Sequence, residues 1–198
     1  MPFTLFHLGP ALAIGLPLRK FIHTPTFIIA NIILDLEPFF VLLFSLDYPL
    51  HGYLHTIVAA VLISLILGSV LYRFDFIFNN FWHKTFLTTV NSSKRFEFFI
   101  LANLLGSILH VLLDAPLYSD IKPFYPLTIN PLYYPQIASE IYNACLGLGV
   151  IGIIYYIYLI KNSKIIFNQK IVYALTIFDH KKVIGRKNKS SSLSCTFM

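Results

Sequence analysis

Residues 98–116 read FFILANLLGSILHVLLDAP. A helix of these nineteen residues would extend about 28 Å, close to the roughly 30 Å hydrocarbon core of a bilayer. Its far end carries His110 and Asp114, four residues apart and so on one helical face. Ionisable groups in an apolar span are costly and mark function by default. The fold and the chemistry are therefore read from the same stretch.

The surrounding sequence has the same character. Of 198 residues, 57% are hydrophobic, 16% aromatic and 12% charged, and the mean hydropathy is +0.71. Soluble domains carry roughly 25% charged residues. Five apolar segments can be marked, at about 4–18, 25–45, 55–72, 95–115 and 139–160. The expected fold class is all-α, a polytopic integral membrane helix bundle with about five transmembrane segments. The first segment is short and holds Pro10 and Pro17, and the second is interrupted by Pro38. The connections fall at 19–24, 46–54, 73–94 and 116–138, and the last is rich in Pro and Tyr, which predicts an ordered irregular cap.

The opening MPFTLFHLGPALAIG lacks a basic stretch before its apolar segment, so it reads as a first helix rather than a removed leader. Residues 1–162 form one membrane domain in this reading, followed by a basic cytoplasmic tail over 163–198. That tail carries no nucleic-acid recognition motif, and a solvated end held near anionic lipid accounts for its charge. Cys145 lies in an apolar run and Cys195 in the tail, which disfavours a disulfide and excludes a Cys-based zinc motif.

Basic residues set the expected orientation. Arg19 and Lys20 follow segment one, Arg73, Lys84, Lys94 and Arg95 follow segment three, and eight more Lys and Arg lie from residue 161 onward. The loop after segment two has none, and the loop after segment four has only Lys122. The alternation fits five spans in the cell membrane, with the N-terminus outside and the C-terminus cytoplasmic.

On this topology the unusual polar residues converge. His7 opens segment one; Asn31, Asp35 and Glu37 lie in NIILDLEP; His51 and His55 lie in HGYLH; His110 and Asp114 close segment four. All fall on the outer side, although the charge count that set the orientation did not use them. No Lys or Arg lies in the outer half of any segment to pair with the carboxylates. Imidazole and carboxylate are the donors of zinc, manganese and iron, and an i, i+4 pair offers two donors to one ion. The cluster suits one divalent metal, zinc foremost, or two ions held about 3.5–4 Å apart as in two-metal hydrolases. His7, Asp35, His51, His55, His110 and Asp114 are the expected ligands, and Glu37 the expected general base. Asp47 and Asp120 read as solvated loop residues, and His23, His83 and His180 as cytoplasmic histidines without carboxylate partners. No Walker loop, GxGxxG, GxSxG or HExxH occurs, so nucleotide binding and a serine nucleophile have no support.

Taken in order, MPFTLFHLGPAL, NIILDLEP, HGYLHT and HVLLDAPLYSDIKPFYPL resemble the predicted membrane-bound metal-dependent hydrolases of the YdjM type, especially small archaeal-type members. The resemblance covers roughly residues 1–130. It implies a metal site built on His7, Asp35, His51, His55, His110 and Asp114, and hydrolytic activity. A site at headgroup depth would favour membrane lipids as neighbours and a phosphoester or lipid-linked substrate. Two other readings stay open: a carrier or sensor of metal ions or protons, and a structural membrane protein with a buried polar network.

Overall fold

The computed structural model describes residues 5–89 and 95–162. The chain divides into a body, Met1–Tyr156, and a C-terminal unit, Ile157–Met198. The expected basic tail over 163–198, and Lys94, lie outside the described residues.

Six α-helices are described: α1 (Leu5–Leu18), α2 (Thr24–Ile33), α3 (Leu36–Leu43), α4 (Ile57–Lys84), α5 (Phe96–Asp114) and α6 (138–162). Four stretches are long and apolar enough to cross a membrane: Thr24–Leu43, Ile57–Lys84, Phe96–Asp114 and Pro135–Asn162. This is a helical membrane bundle. At fourteen residues, α1 extends only about 21 Å, so the short first segment forms a helix without the length of a span.

The second span is two helices, for a local reason. Pro38 has no N–H to give the Leu34 carbonyl, and its ring crowds that carbonyl, so a continuous helix fails one turn earlier. α2 ends at Ile33 and α3 begins at Leu36, with Asp35 at the joint. The break leaves Asp35 buried, at 6% exposure.

α4 corrects the sequence reading. It was expected to end near residue 72 but runs to Lys84, some 42 Å in all. Arg73, Asp75 and Lys84 interrupt the hydropathy but not the helical pattern. Phe74, Phe76, Ile77, Phe78 and Phe81 are exposed, as lipid-facing residues are, while Ser64, Gly68 and Asp75 are buried. His83 and Lys84 in the last turn oppose the helix dipole favourably.

α5 lies at the centre, packed against α1, α2 and α4. Ala11, Ile22, Phe27 and Ala102 form one apolar cluster, and Leu34, Ala60 and Val111 another. Where α2 crosses α5, a Cβ on Gly106 would lie 2.7 Å from the Phe27 carbonyl and 2.8 Å from the Ala30 Cβ. Only glycine permits that approach. It brings the Asn31 carbonyl within 2.7 Å of His110 Nδ1.

The irregular segment after α5 is tied down at several points. Asn130 Nδ2 donates to the carbonyls of Ala115 (2.7 Å) and Tyr118 (3.2 Å), its Oδ1 accepts from Leu132 N–H, and Ile57 N–H donates to the Pro123 carbonyl. Asp120 is thereby held over the start of α4.

A candidate metal centre

The start of α1, the α2–α3 joint, the segment before α4 and the end of α5 meet at one end of the body. Arg19, Lys20, Arg73, Lys84 and Arg95 follow α1, occupy the second half of α4, or precede α5, at the other end. The six expected ligands come together at the first end, each no more than 6% exposed.

Two donor groups form there. His7, Asp35, His110 and Asp114 offer one ligand atom apiece within 4.8 Å of one another, and His51, His55 and Asp114 do the same. Asp114 belongs to both. His7 Nε2 lies 3.2 Å from Asp114 Oδ1, and His110 Nε2 lies 3.4 Å from Asp114 Oδ2 and 3.6 Å from Asp35 Oδ1.

Three of the four imidazoles are held by an acceptor on Nδ1. His55 Nδ1 lies 2.9 Å from Glu37 Oε2. His51 Nδ1 lies 3.1 Å from Asp120 Oδ1, while His51 N–H donates to Asp120 Oδ2 at 2.9 Å. His110 Nδ1 contacts the Asn31 carbonyl. A carboxylate or a carbonyl can only accept here, so the hydrogen of each ring sits on Nδ1 and the Nε2 lone pair is left free. A histidine that ligates a metal is oriented in this way, by an acceptor on its other nitrogen. His55 Nε2 and His110 Nε2 then face each other at 3.3 Å. Two lone pairs at that distance repel unless a proton or a metal ion lies between them, and the donor groups could hold a metal.

Local sequence explains the placement. Gly52 is required before the 3₁₀ turn Tyr53–His55, since a Cβ there would overlap the Tyr48 ring. Thr56 ends the turn and caps α4, accepting from Ala59 N–H at 3.0 Å. Tyr48 reaches back to donate to Glu37 Oε1 at 3.2 Å, and Leu54 N–H donates to the same oxygen. Glu37, expected as a general base, is thus placed as the group that orients His55. Burial and the neighbouring His55 hold the His51 imidazole below its ordinary pKa, against the pull of Asp120, so it is neutral at pH 7, the form that binds metal. The Tyr118 ring packs on His51 at 4.1 Å, and burial, with Asp114 nearby, pushes the phenol pKa up and keeps it protonated.

Two expectations are corrected. Asp47 is exposed as expected, but Asp120 is not a free loop carboxylate: it holds His51 through both backbone and ring. Its position six residues after Asp114, in the Pro- and Tyr-rich cap, was the only available signal. His23 was expected to lack a carboxylate partner. Instead His23 Nε2 lies 3.3 Å from Asp75 Oδ1, with both side chains buried, because α4 continues past residue 72. His23 Nδ1 meets Thr26 Oγ1 at 2.7 Å, and its ring stacks on Phe99. This pair ties α2 to α4 at the end away from the cluster. Asp75→Asn is expected to lower thermal stability by about 1–3 kcal/mol and to leave bound metal unchanged, measured by a melting curve and metal analysis on one preparation.

No protein-family model, curated protein or solved structure matches the chain. The geometry carries the functional argument alone.

Proposed function

We propose that the protein is a membrane-bound metal-dependent hydrolase, with its centre opening at the outer face of the cell membrane and acting on a phosphoester. The observation that carries this reading is the convergence of four buried imidazoles with Asp35 and Asp114, three of the rings carrying an acceptor on Nδ1. His7, Asp35, His110 and Asp114 would hold one divalent ion, zinc in the first instance, and His51, His55 and Asp114 a second. Such ions supply Lewis-acid polarisation of the ester and hydroxide from water at neutral pH.

The chain's own residues do the rest. Asp114 spans both donor groups and fixes their separation. Glu37 and Asp120 set the direction of His55 and His51, and Tyr48 and Leu54 N–H keep Glu37 in place. A cavity of about 240 Å³ borders His51 and is lined also by Tyr48, Tyr53, Asp120, Lys122 and Tyr125. It gives the centre an approach with one cationic side chain, Lys122, suited to a phosphoester. The positive-inside pattern supports the outward orientation.

The test is metal-dependent turnover. Purified protein is expected to cleave a chromogenic phosphodiester or phosphomonoester, to lose that activity in chelator and to regain it with zinc or manganese. A protein that holds stoichiometric metal and cleaves no member of a phosphoester panel would overturn the hydrolase reading.

A second reading, cation transfer across the bundle, draws on buried polar groups beyond the centre. Ser64 and Ser107 lie 3.5 Å apart, Asn103 is fully buried, and the His23–Asp75 pair follows. It ranks second because Phe99, one turn before Asn103 on α5, is fully buried and stacked on His23, an apolar layer in that column. Metal uptake into proteoliposomes would reverse the order.

A further inference from the structure

The molecule carries two recesses that meet at Tyr48. One is the cavity beside His51. The other is an apolar groove of about 560 Å³ lined by Leu36, Phe40, Val41, Leu46, Leu54 and Ile63, with Glu37 and Tyr48 at its border. Both touch the candidate centre, the cavity through His51 and the groove through Glu37, which holds His55. Phe40, on the apolar α2–α3 span, and Leu46 and Leu54, in the turns that follow it, are exposed.

Charge differs between the two. The groove contains no cation, and the cavity contains Lys122, the single Lys or Arg in the loops at this end of the body. Asp120, its neighbour in the cavity, is committed to His51 by three contacts of 2.9–3.2 Å. Among the described residues no ion pair engages Lys122, which is exposed. An ammonium and two tyrosine hydroxyls (Tyr53, Tyr125) form a site for an anionic oxygen group.

We infer that the protein binds a lipid of the surrounding bilayer, with its hydrocarbon chain in the α3–α4 groove and its phosphate-bearing headgroup at Lys122 beside His51. The inference rests on the hydrolase reading and names its substrate class, a lipid phosphoester that enters sideways from the membrane. Three features argue for an amphiphile rather than a soluble ester. Only the cavity holds a cation, the two recesses share the Tyr48 wall, and the groove is almost wholly apolar and borders the α2–α3 span. A free phosphate would use only the cavity, and a fatty acid would gain little from a path past the metal ligands.

Binding, not turnover, tests this. Purified full-length chain in detergent is titrated with fluorescently labelled phosphatidic acid, with labelled palmitic acid and inorganic phosphate as comparisons. Phosphatidic acid is expected to bind saturably. Lys122→Gln should weaken it about tenfold, the loss of one charge-assisted contact. Leu46→Trp, which fills the groove from an exposed loop position, should weaken both phosphatidic and palmitic acid, and Leu65→Trp, on the exposed face of α4, neither. Equal affinity across these variants would overturn the inference, as would full displacement by phosphate at matching concentration. Soluble phosphoesters cleaved without lipid binding would overturn it while leaving the hydrolase reading intact. Lipid bound as expected without cleavage would instead count against the hydrolase reading alone.

Discussion

Asp114→Ala is expected to strip the centre of all its metal through purification. This carboxylate contributes to both donor groups, with one oxygen 3.2 Å from His7 Nε2 and the other 3.4 Å from His110 Nε2. Losing a group that merely orients a ligand weakens metal binding about 10–100-fold. Removing a ligand shared by two ions is expected to exceed that range, so bound metal falls to background. His110→Ala should act similarly on the first ion, because its Nε2 also faces Asp35 and His55. Asp47→Ala, at an exposed carboxylate outside the cluster, should keep the full complement. Elemental analysis of the three variants beside the parent protein is the check. Parent-level metal in Asp114→Ala would remove this residue from the centre. Circular dichroism shows whether the bundle persists in each variant, so loss of metal is not confused with loss of fold.

The second large effect belongs to residues that touch no metal in this account. Glu37→Ala and Asp120→Ala leave all six proposed ligands in place but remove the acceptors from His55 and His51. Each ring then loses the contact that fixes its hydrogen on Nδ1 and its Nε2 toward the centre. Metal affinity is expected to weaken about 10–100-fold in each, measured by competition with a chromogenic chelator. Combining the two should weaken binding more than either alone, since they act on different rings. If His51 and His55 were only packing groups, the same substitutions would lower the melting temperature and leave metal affinity where it was. Glu37→Gln separates two roles for Glu37. An amide still accepts from the His55 ring, so metal is retained, whereas a general base would be abolished with the carboxylate.

Much of this was legible in the sequence because membrane physics is simple. Apolar runs must be helices to satisfy their backbone in lipid, and Pro38 marked the break that places Asp35. The candidate donor cluster was legible because ionisable groups in apolar runs stand out against their surroundings. Glu37 and Asp120 were harder. Both sit where polar residues are unremarkable, one before a proline and the other in a loop, and only the turn built by Gly52, Tyr48 and Thr56 brings Glu37 to His55. The end of α4 was misread because hydropathy falls at Arg73 and Asp75 while the helix continues on its exposed phenylalanines. That misreading hid the His23–Asp75 pair, whose members are 52 residues apart in sequence and meet only because α2 and α4 pass each other.

Everything in the functional account depends on divalent metal held by the two donor groups that share Asp114. Elemental analysis of protein purified without chelators, from cells grown in ordinary medium, addresses that most directly. One to two divalent ions per chain, lost when His110 or Asp114 is replaced, is the predicted result. Metal below about a tenth of an ion per chain, unchanged after incubation with zinc or manganese and removal of the excess, would contradict the account. The cluster would then be a buried polar network of the bundle.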